Sequence, residues 1–404
     1  METNKLTFRL KQHTPLIHFQ HHQEGATLRA TELKPKLDRF LIREFEKMKY
    51  DYSGYLLMGQ DNALDYKVRI SAYGTKKVWE INSFPCFFGN MCSNEKKKLI
   101  INEGVEIVIF SKHRNLLEQI EDSVESFISE NNFGTRQSKG FGSFYLKGRE
   151  FSDGFDLRFN IPSSLINSKG YDWLFLKNVS SERNINEDLK RFARLFACID
   201  IFYRSLRSGI NRPGRDKSTQ FYMKPAVFLY AKDRLKAPWD KKTIKQHFFR
   251  AELNKQVQQH NFPDILTYEG DRSTDNEKLL IKDLFGLSST ESWKYYRKTL
   301  TKDHPEITRF RSPLIFKIIS NPGQGFTIGI KAKSIPDEYF NQKFTVRMDN
   351  MGQIELNTPK NFDWKDFFGY LKQECSSISD RAFSDASMED QPEYKVLSTI
   401  YNQF

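Results

Sequence analysis

The sequence predicts an α+β protein of two domains, and three observations carry that reading. Its 404 residues exceed one small core and suit two domains. Segments of helical and of alternating periodicity both occur, so neither an all-helical nor an all-strand chain fits. In the first third of the chain they follow the order strand, helix, strand, strand, helix, strand. The expected division is a first domain over 1–155, with a glycine-rich loop, and a second over 156–404, with insertions.

The elements follow in order. Residues 5–19 read as extended around Thr14-Pro15, before a loop from His18 to Gly25. A helix comes next, because Leu33, Leu37, Phe40, Leu41, Phe45 and Met48 share one face. Thr31 is its expected N-cap, and Pro35 is expected in the first turn. Lys36, Arg39, Arg43 and Lys47 form a separate basic stripe. Residues 67–73 alternate as a strand, and Val78–Ile81 is expected to pair with it across Gly74-Thr75-Lys76. Gly104–Phe110 reads as a buried strand. A second helix over 115–131 buries Leu116, Leu117, Ile120, Val124, Phe127 and Ile128, and a strand over 143–147 closes the set. This is the split βαβ order of a ferredoxin-like domain. Beyond it, 148–165 reads as a connector or crossing strand, 188–207 as a helix, 221–231 as a strand, and 240–259 and 276–285 as helices. The stretches 313–320, 325–332 and 343–356 read as β structure with a turn at 349–352. A closing helix is expected at 363–376, and a mobile polar tail over 377–392.

The net charge of +12 and pI near 9.2 suit either a solvated surface or a groove facing a polyanion. Aromatics make up 14% of residues and often neighbour cations, which favours RNA: aromatic faces stack on bases while cations track phosphate. Four cysteines without a CxxC suggest neither a disulfide framework nor a zinc site, and a reducing cytoplasm is expected. No apolar run approaches the ~20 residues of a membrane span, and Met1–Leu10 lacks a signal-like stretch. No Walker A, GxSxG or HExxH motif is present, and no cofactor or metal is expected.

The most informative segment is Gly134-Thr-Arg-Gln-Ser-Lys-Gly-Phe-Gly142. Glycine permits close backbone approach, and Arg136 and Lys139 suit phosphate. The backbone N–H groups near Gly140, Phe141 and Gly142 are expected to meet phosphate, although a tight helix-to-strand connection would use the same residues. Arg29, Lys34, Lys36 and Arg39 flank a helix start, a place that already favours anions, so RNA contact is expected there too. The bland alternative is salt bridges with Glu32 or Asp38. A third basic group, Arg204–Lys217, includes Arg207, Arg212 and Arg215 in a projecting loop. His13, His18, His21 and His22 could supply a general base, a metal ligand or simply a polar loop.

Two stretches resemble the RAMP superfamily of CRISPR-associated RNA-binding proteins. One is Thr14-Pro15-Leu16-Ile17, Gly25 and Leu28 through Phe40; the other is Gly134 to Gly142. A third, shorter piece is Leu284-Phe285-Gly286 with Arg311-Ser312-Pro313-Leu314. Pro35 stands where the family has glycine after the lysine, while Lys34 and Arg39 are kept. Among RAMP proteins the arrangement is most similar to the first RAMP subunit of the type III-B (Cmr) effector. The resemblance implies two ferredoxin-like (RRM-like) domains packed together. It also implies a non-catalytic place at the head of the complex, near the 3′ end of the guide RNA and the 5′ end of the target RNA. The implied partners are guide RNA, target RNA and the other RAMP subunits of the Cmr complex, with no membrane. Two alternatives remain at this stage: a metal-independent endoribonuclease that processes guide RNA, and an assembly-only subunit.

Overall fold

The computed structural model describes residues 4–18, 27–81, 97–151, 154–168, 172, 186–214, 219–251, 278–293 and 296–404. Phe19, His21, His22, Gly25, Arg215, Lys217 and the distal part of the helix expected over 240–259 lie outside them. Two compact units result: residues 1–197 with 315–331, and 198–314 with 332–404.

In chain order, the first elements are β1 (Asn4–Gln12), α1 (Ala30–Met48), β2 (Lys67–Ile81), β3 (Lys97–Ser111), α2 (Arg114–Glu130), β4 (Phe144–Leu146), β5 (Leu157–Pro162), α3 (Ser163–Ile166) and α4 (Glu187–Arg207). There follow β6 (Ile210–Pro213), β7 (Thr219–Met223), α5 (Ala226–Asp233), α6 (Asp240–Phe248), β8 (Thr290–Trp293) and β9 (Lys298–Asp303). The chain ends with β10 (Leu314–Asn321), β11 (Gly325–Ala332), β12 (Lys343–Met348), β13 (Gly352–Asn357), α7 (Trp364–Glu374), β14 (Ala382–Phe383) and α8 (Pro392–Tyr401). The protein is α+β.

In the first unit, an antiparallel sheet runs β2-β3-β1-β4, and a second sheet runs β10-β11-β5. Leu33, Leu37, Leu41 and Phe45 of α1 are buried with Leu116, Ile120, Phe127 and Ile128 of α2 against Leu10, Val105, Ile107 and Ile109. Each such side chain contributes about 1.5–3 kcal/mol on burial, so Leu37→Asp would break this layer. The strands alternate: Leu6, Phe8 and Leu10 face this core, while Lys5, Thr7 and Arg9 are exposed.

Several expectations are corrected here. The N-cap of α1 is Arg29 rather than Thr31, Pro35 lies inside the helix, and Met48 is exposed beside the left-handed Lys49. Val78–Ile81 does not fold back on 67–73. Both halves belong to one strand that pairs with β3 through a register shift between Tyr73 and Lys76, where Gly74 takes a φ of +74°. The stretch 221–231 splits at Pro225 into β7 and α5, because proline caps a helix better than it continues a strand. Of the helix expected at 276–285, the described part is a single 3-10 turn, Lys282–Phe285.

In the second unit the sheets run β13-β12-β9-β8 and β14-β7-β6. The tail expected to be mobile is anchored instead. Arg381 is 1% exposed, and its guanidinium donates to the carbonyls of Cys375 (2.8 Å) and Ser205 (2.8 Å).

Candidate nucleic-acid interface

At the start of α1, Arg29 supplies the N-cap backbone, and its carbonyl accepts from Glu32 and Leu33. Lys34 is committed internally: its Nζ donates to Asp38 Oδ2 (2.7 Å) and to the Leu64 carbonyl (2.9 Å), over the Tyr66 ring. Lys36 Nζ likewise donates to Glu32 Oε1 (2.9 Å), the Asn132 carbonyl (2.9 Å) and Gln137 Oε1 (3.0 Å). The bland alternative of salt bridges to Glu32 and Asp38 therefore describes these two lysines. The rest of the basic stripe divides. Arg43 pairs with Glu130 and Glu44, and Lys47 with Glu44, while Arg39 is exposed with its Nε on the Pro35 carbonyl.

The glycine loop is locked rather than open. Glu32 Oε1 accepts from Gly134 N (2.7 Å), so a side-chain carboxylate closes the start of the loop. Gly140 N donates to the Gln137 carbonyl (3.1 Å) and Gly142 N to the Pro15 carbonyl (2.9 Å). Thr14 Oγ1 bridges the Gly140 carbonyl (2.6 Å) and Ser143 N (2.9 Å). Phe141 is fully buried and stacks on Phe196 with centroids 3.9 Å apart. Gly140, Phe141 and Gly142 thus do not present the phosphate-facing amides or the base-stacking ring that the sequence suggests. The amides and carbonyls of Gly140 and Gly142 are already bonded, and exposing them would break these bonds.

The loop also packs on β10. Asn132 Nδ2 donates to the Phe316 carbonyl (2.7 Å), and Ser143 Oγ donates to the Ile318 carbonyl (2.7 Å). Lys139 is buried at 5% exposure, and Arg136 is half-buried in a left-handed conformation, φ 59°. In β10, Lys317 is fully buried and donates to the Asn131 carbonyl (2.7 Å). Burial, and then the nearby Lys36, push its ammonium well below the usual lysine range.

The two described histidines of the His13, His18, His21 and His22 set are not open to solvent. His13 and His18 are both buried. His13 Nδ1 lies 3.0 Å from Ser320 Oγ and accepts from Ser320 N (3.0 Å). Burial, then Lys11 and Lys317, lower its pKa to about 3. His21 and His22 lie outside the described residues.

In the second unit, Arg207 and Arg212 are structural anchors and do not project. Arg207 Nη2 donates to the Gly286 carbonyl (3.2 Å). Burial opposes its charge, but Tyr203, Asp283, Glu291 and Asp240 more than offset this. Arg212 Nη1 pairs with Glu393 Oε2 at 2.9 Å. Arg215 lies outside the described residues. Nearby, Lys302 donates to both oxygens of the buried Asp283 (2.8 and 2.6 Å). Lys282 bridges Glu291, and its amide donates to Asp240 Oδ2 (2.8 Å).

One group of surface cations lies where sequence reasoning did not look. Lys5, Arg9, Lys67, Arg69 and Lys147 are exposed along the side of the first sheet opposite the helices. The signal was the alternation Lys67-Val-Arg-Ile-Ser-Ala-Tyr73, read there only as strand periodicity. Among the described residues, no group of His, Cys, Asp and Glu could hold a metal ion, and no helix is long and apolar enough to cross a membrane.

Comparison with known families places the chain. The family model of the Cmr1 N-terminal domain matches residues 3–210, and that of the Cmr1 C-terminal domain matches 222–389. The protein is therefore a RAMP subunit of the type III-B CRISPR effector class. Within that class it belongs to the Cmr1 family, the first RAMP subunit of the Cmr complex. No curated protein matches by sequence. Among solved structures, Cmr1 from Pyrococcus furiosus (apo form) aligns at 12% identity and a TM-score of 0.31, over 83% of this chain and 90% of that one. A chain of the type III-B Cmr-beta bound to cognate target RNA aligns at 14% identity and a TM-score of 0.27. That alignment covers 37% of this chain and 60% of the other. Superpositions this loose carry no argument, and the family assignment rests on the two domain models.

Proposed function

We propose that this chain is a non-catalytic RNA-binding subunit of a cytoplasmic Cmr ribonucleoprotein. It caps the head of the complex near the guide RNA 3′ end and helps capture target RNA beside the other RAMP subunits. The observation that carries this reading is the Cmr1 match in both parts of the chain. Its net charge of +12 and the exposed cations of the first sheet support a polyanion partner. Guide–target pairing supplies sequence specificity, so this subunit needs only phosphate and shape contacts. The β-α-β-β-α-β order of the first unit supports a ferredoxin-like domain there. The reading needs no cofactor and no membrane.

The endoribonuclease alternative loses ground because His13 is enclosed and neutral at ordinary pH. The assembly-only alternative gains one observation, the internal commitment of Lys34, Lys36 and the glycine loop.

The test is RNA binding by the purified chain across salt, with the RNA run afterwards on a denaturing gel. Phosphate contacts predict affinity falling steeply between about 50 and 200 mM salt, with the RNA intact. Cut RNA would restore the endoribonuclease, and no binding at low salt would favour the assembly-only subunit.

A further inference from the structure

The open face of the first sheet combines features that no single strand reveals. Register places Lys67, Phe110 and Lys5 in one row, then Arg69, Val108 and Thr7, then Ser71, Glu106 and Arg9, then Tyr73, Gly104 and Lys11. Cations therefore rim a strip with two aromatic rings, and Glu106 is the carboxylate within these rows.

Tyr73 is the centre of the arrangement. A Cβ on Gly104 would lie 2.7 Å from Tyr73 Cζ and 2.5 Å from its hydroxyl, so the ring lies across the glycine. Only a residue without a side chain leaves that space. The hydroxyl donates to the Leu10 carbonyl (3.3 Å), which holds the ring against the sheet. Over the ring stand Lys147 Nζ, 5.0 Å from the centroid, and the Arg9 guanidinium at 5.7 Å. Their carboxylate partners are exposed or half-exposed: Glu106 for Arg9 (2.9 Å) and Glu103 for Lys147 (3.5 Å). Such exposed pairs are weak and yield readily to a phosphate. A cavity of about 330 Å³ adjoins this face at the sheet edge, on the side of α2, where Leu6, Phe8, Val124 and Glu121 line it together with Arg9, Lys147 and Arg149.

We propose that this face binds single-stranded RNA, with one base stacked on Tyr73 and Arg9 and Lys147 swung from the ring onto the flanking phosphates. An aromatic ring laid against the sheet under two weakly paired cations suits an unpaired, sequence-independent strand, since every base has a stacking face. A duplex would present only its backbone and leave Tyr73 unused. The inference rests on the RNA-binding reading above and names the surface that performs it.

The experiment uses the full chain and a fluorescein-labelled oligouridylate. Wild type is compared with Tyr73→Ala, Tyr73→Phe and the double variant Arg9→Gln/Lys147→Gln. Losing one base stack predicts a drop in affinity of about 5- to 150-fold for Tyr73→Ala, with Tyr73→Phe restoring it. Losing two phosphate contacts predicts a salt slope shallower by about 1.4. Photo-crosslinking of the wild-type chain to a 4-thiouridine oligomer, followed by peptide mapping, should label Tyr73, and it does not depend on any variant folding. Wild-type binding unchanged in all variants, with crosslinks elsewhere, would overturn this surface while leaving the RNA reading intact. No binding by wild type would overturn both.

Discussion

Gly142→Ala tests whether the glycine loop is a structural lock. Gly142 has φ +61°, a conformation that costs an L-residue about 1–2 kcal/mol. An added Cβ would also lie 2.0 Å from the Phe133 carbonyl oxygen and 2.8 Å from Leu16 Cδ1. The nearer atom is backbone, so relief demands a shift of roughly 1.4 Å to reach ordinary contact. That shift would strain two buried bonds, Phe133 N to the Gly142 carbonyl (3.0 Å) and Gly142 N to the Pro15 carbonyl (2.9 Å). Each buried bond left unmade costs about 1–3 kcal/mol, which with the backbone term gives a total of about 3–8 kcal/mol, a large part of typical stability. Gly148→Ala isolates the backbone contribution, because Gly148 has φ +80° but nothing within 4 Å of the added Cβ. It should cost only about 1–2 kcal/mol. Gly140→Ala should fall between them, since its Cβ would meet the movable tip of Ile318 at 2.3 Å. Urea unfolding of the three variants measures the order. Equal destabilisation by Gly142→Ala and Gly148→Ala would refute the lock.

Three further predictions follow from the same geometry. Phe141→Ala should destabilise the chain by about 3–5 kcal/mol in thermal unfolding, through loss of the stack on Phe196, and leave RNA affinity of the folded protein unchanged; a selective loss of RNA affinity would return Phe141 to base stacking. Lys302→Ala should cost about 3–5 kcal/mol by stranding buried Asp283, and Lys302→Ala with Asp283→Ala should recover part of it, measured as a double-mutant cycle. His13 has a folded pKa of about 3 against an unfolded value of about 6.5, so only the unfolded chain takes up its proton between them. Stability from this group is present above about pH 6.5 and lost as pH falls, by about 2 kcal/mol at pH near 5, and His13→Gln should flatten that part of the pH–stability curve.

Helices α1 and α2 are legible in the sequence because their buried residues recur at helical spacing over four turns or more. The ends are not. Arg29 caps α1 with no side-chain bond, a position that carries no composition signal. Strands β8 and β9 escape because they are short and carry Glu291 and Lys302 for reasons of charge pairing. The polar tail is misread for a related cause: Arg381 looks solvated in sequence, yet three backbone carbonyls enclose it. The site suffers most. Lys34 and Lys36 look like phosphate ligands until Asp38, the Leu64 carbonyl and Glu32 are seen to occupy them. Conversely, the sequence of β1 and β2 reads only as extended or alternating strand. Only the register through β3 sets Arg9 diagonally to Tyr73, in neighbouring rows of one face.

The central claim is that this Cmr1-family chain touches RNA at one end of the effector. The most direct measurement is photo-crosslinking in a Cmr complex assembled with this chain, on guide RNAs carrying single photoreactive uridines along their length. Crosslinks from the chain confined to the guide's 3′ segment are the expected result. A chain that assembles but crosslinks to no position, or only to the 5′ segment, would contradict the account.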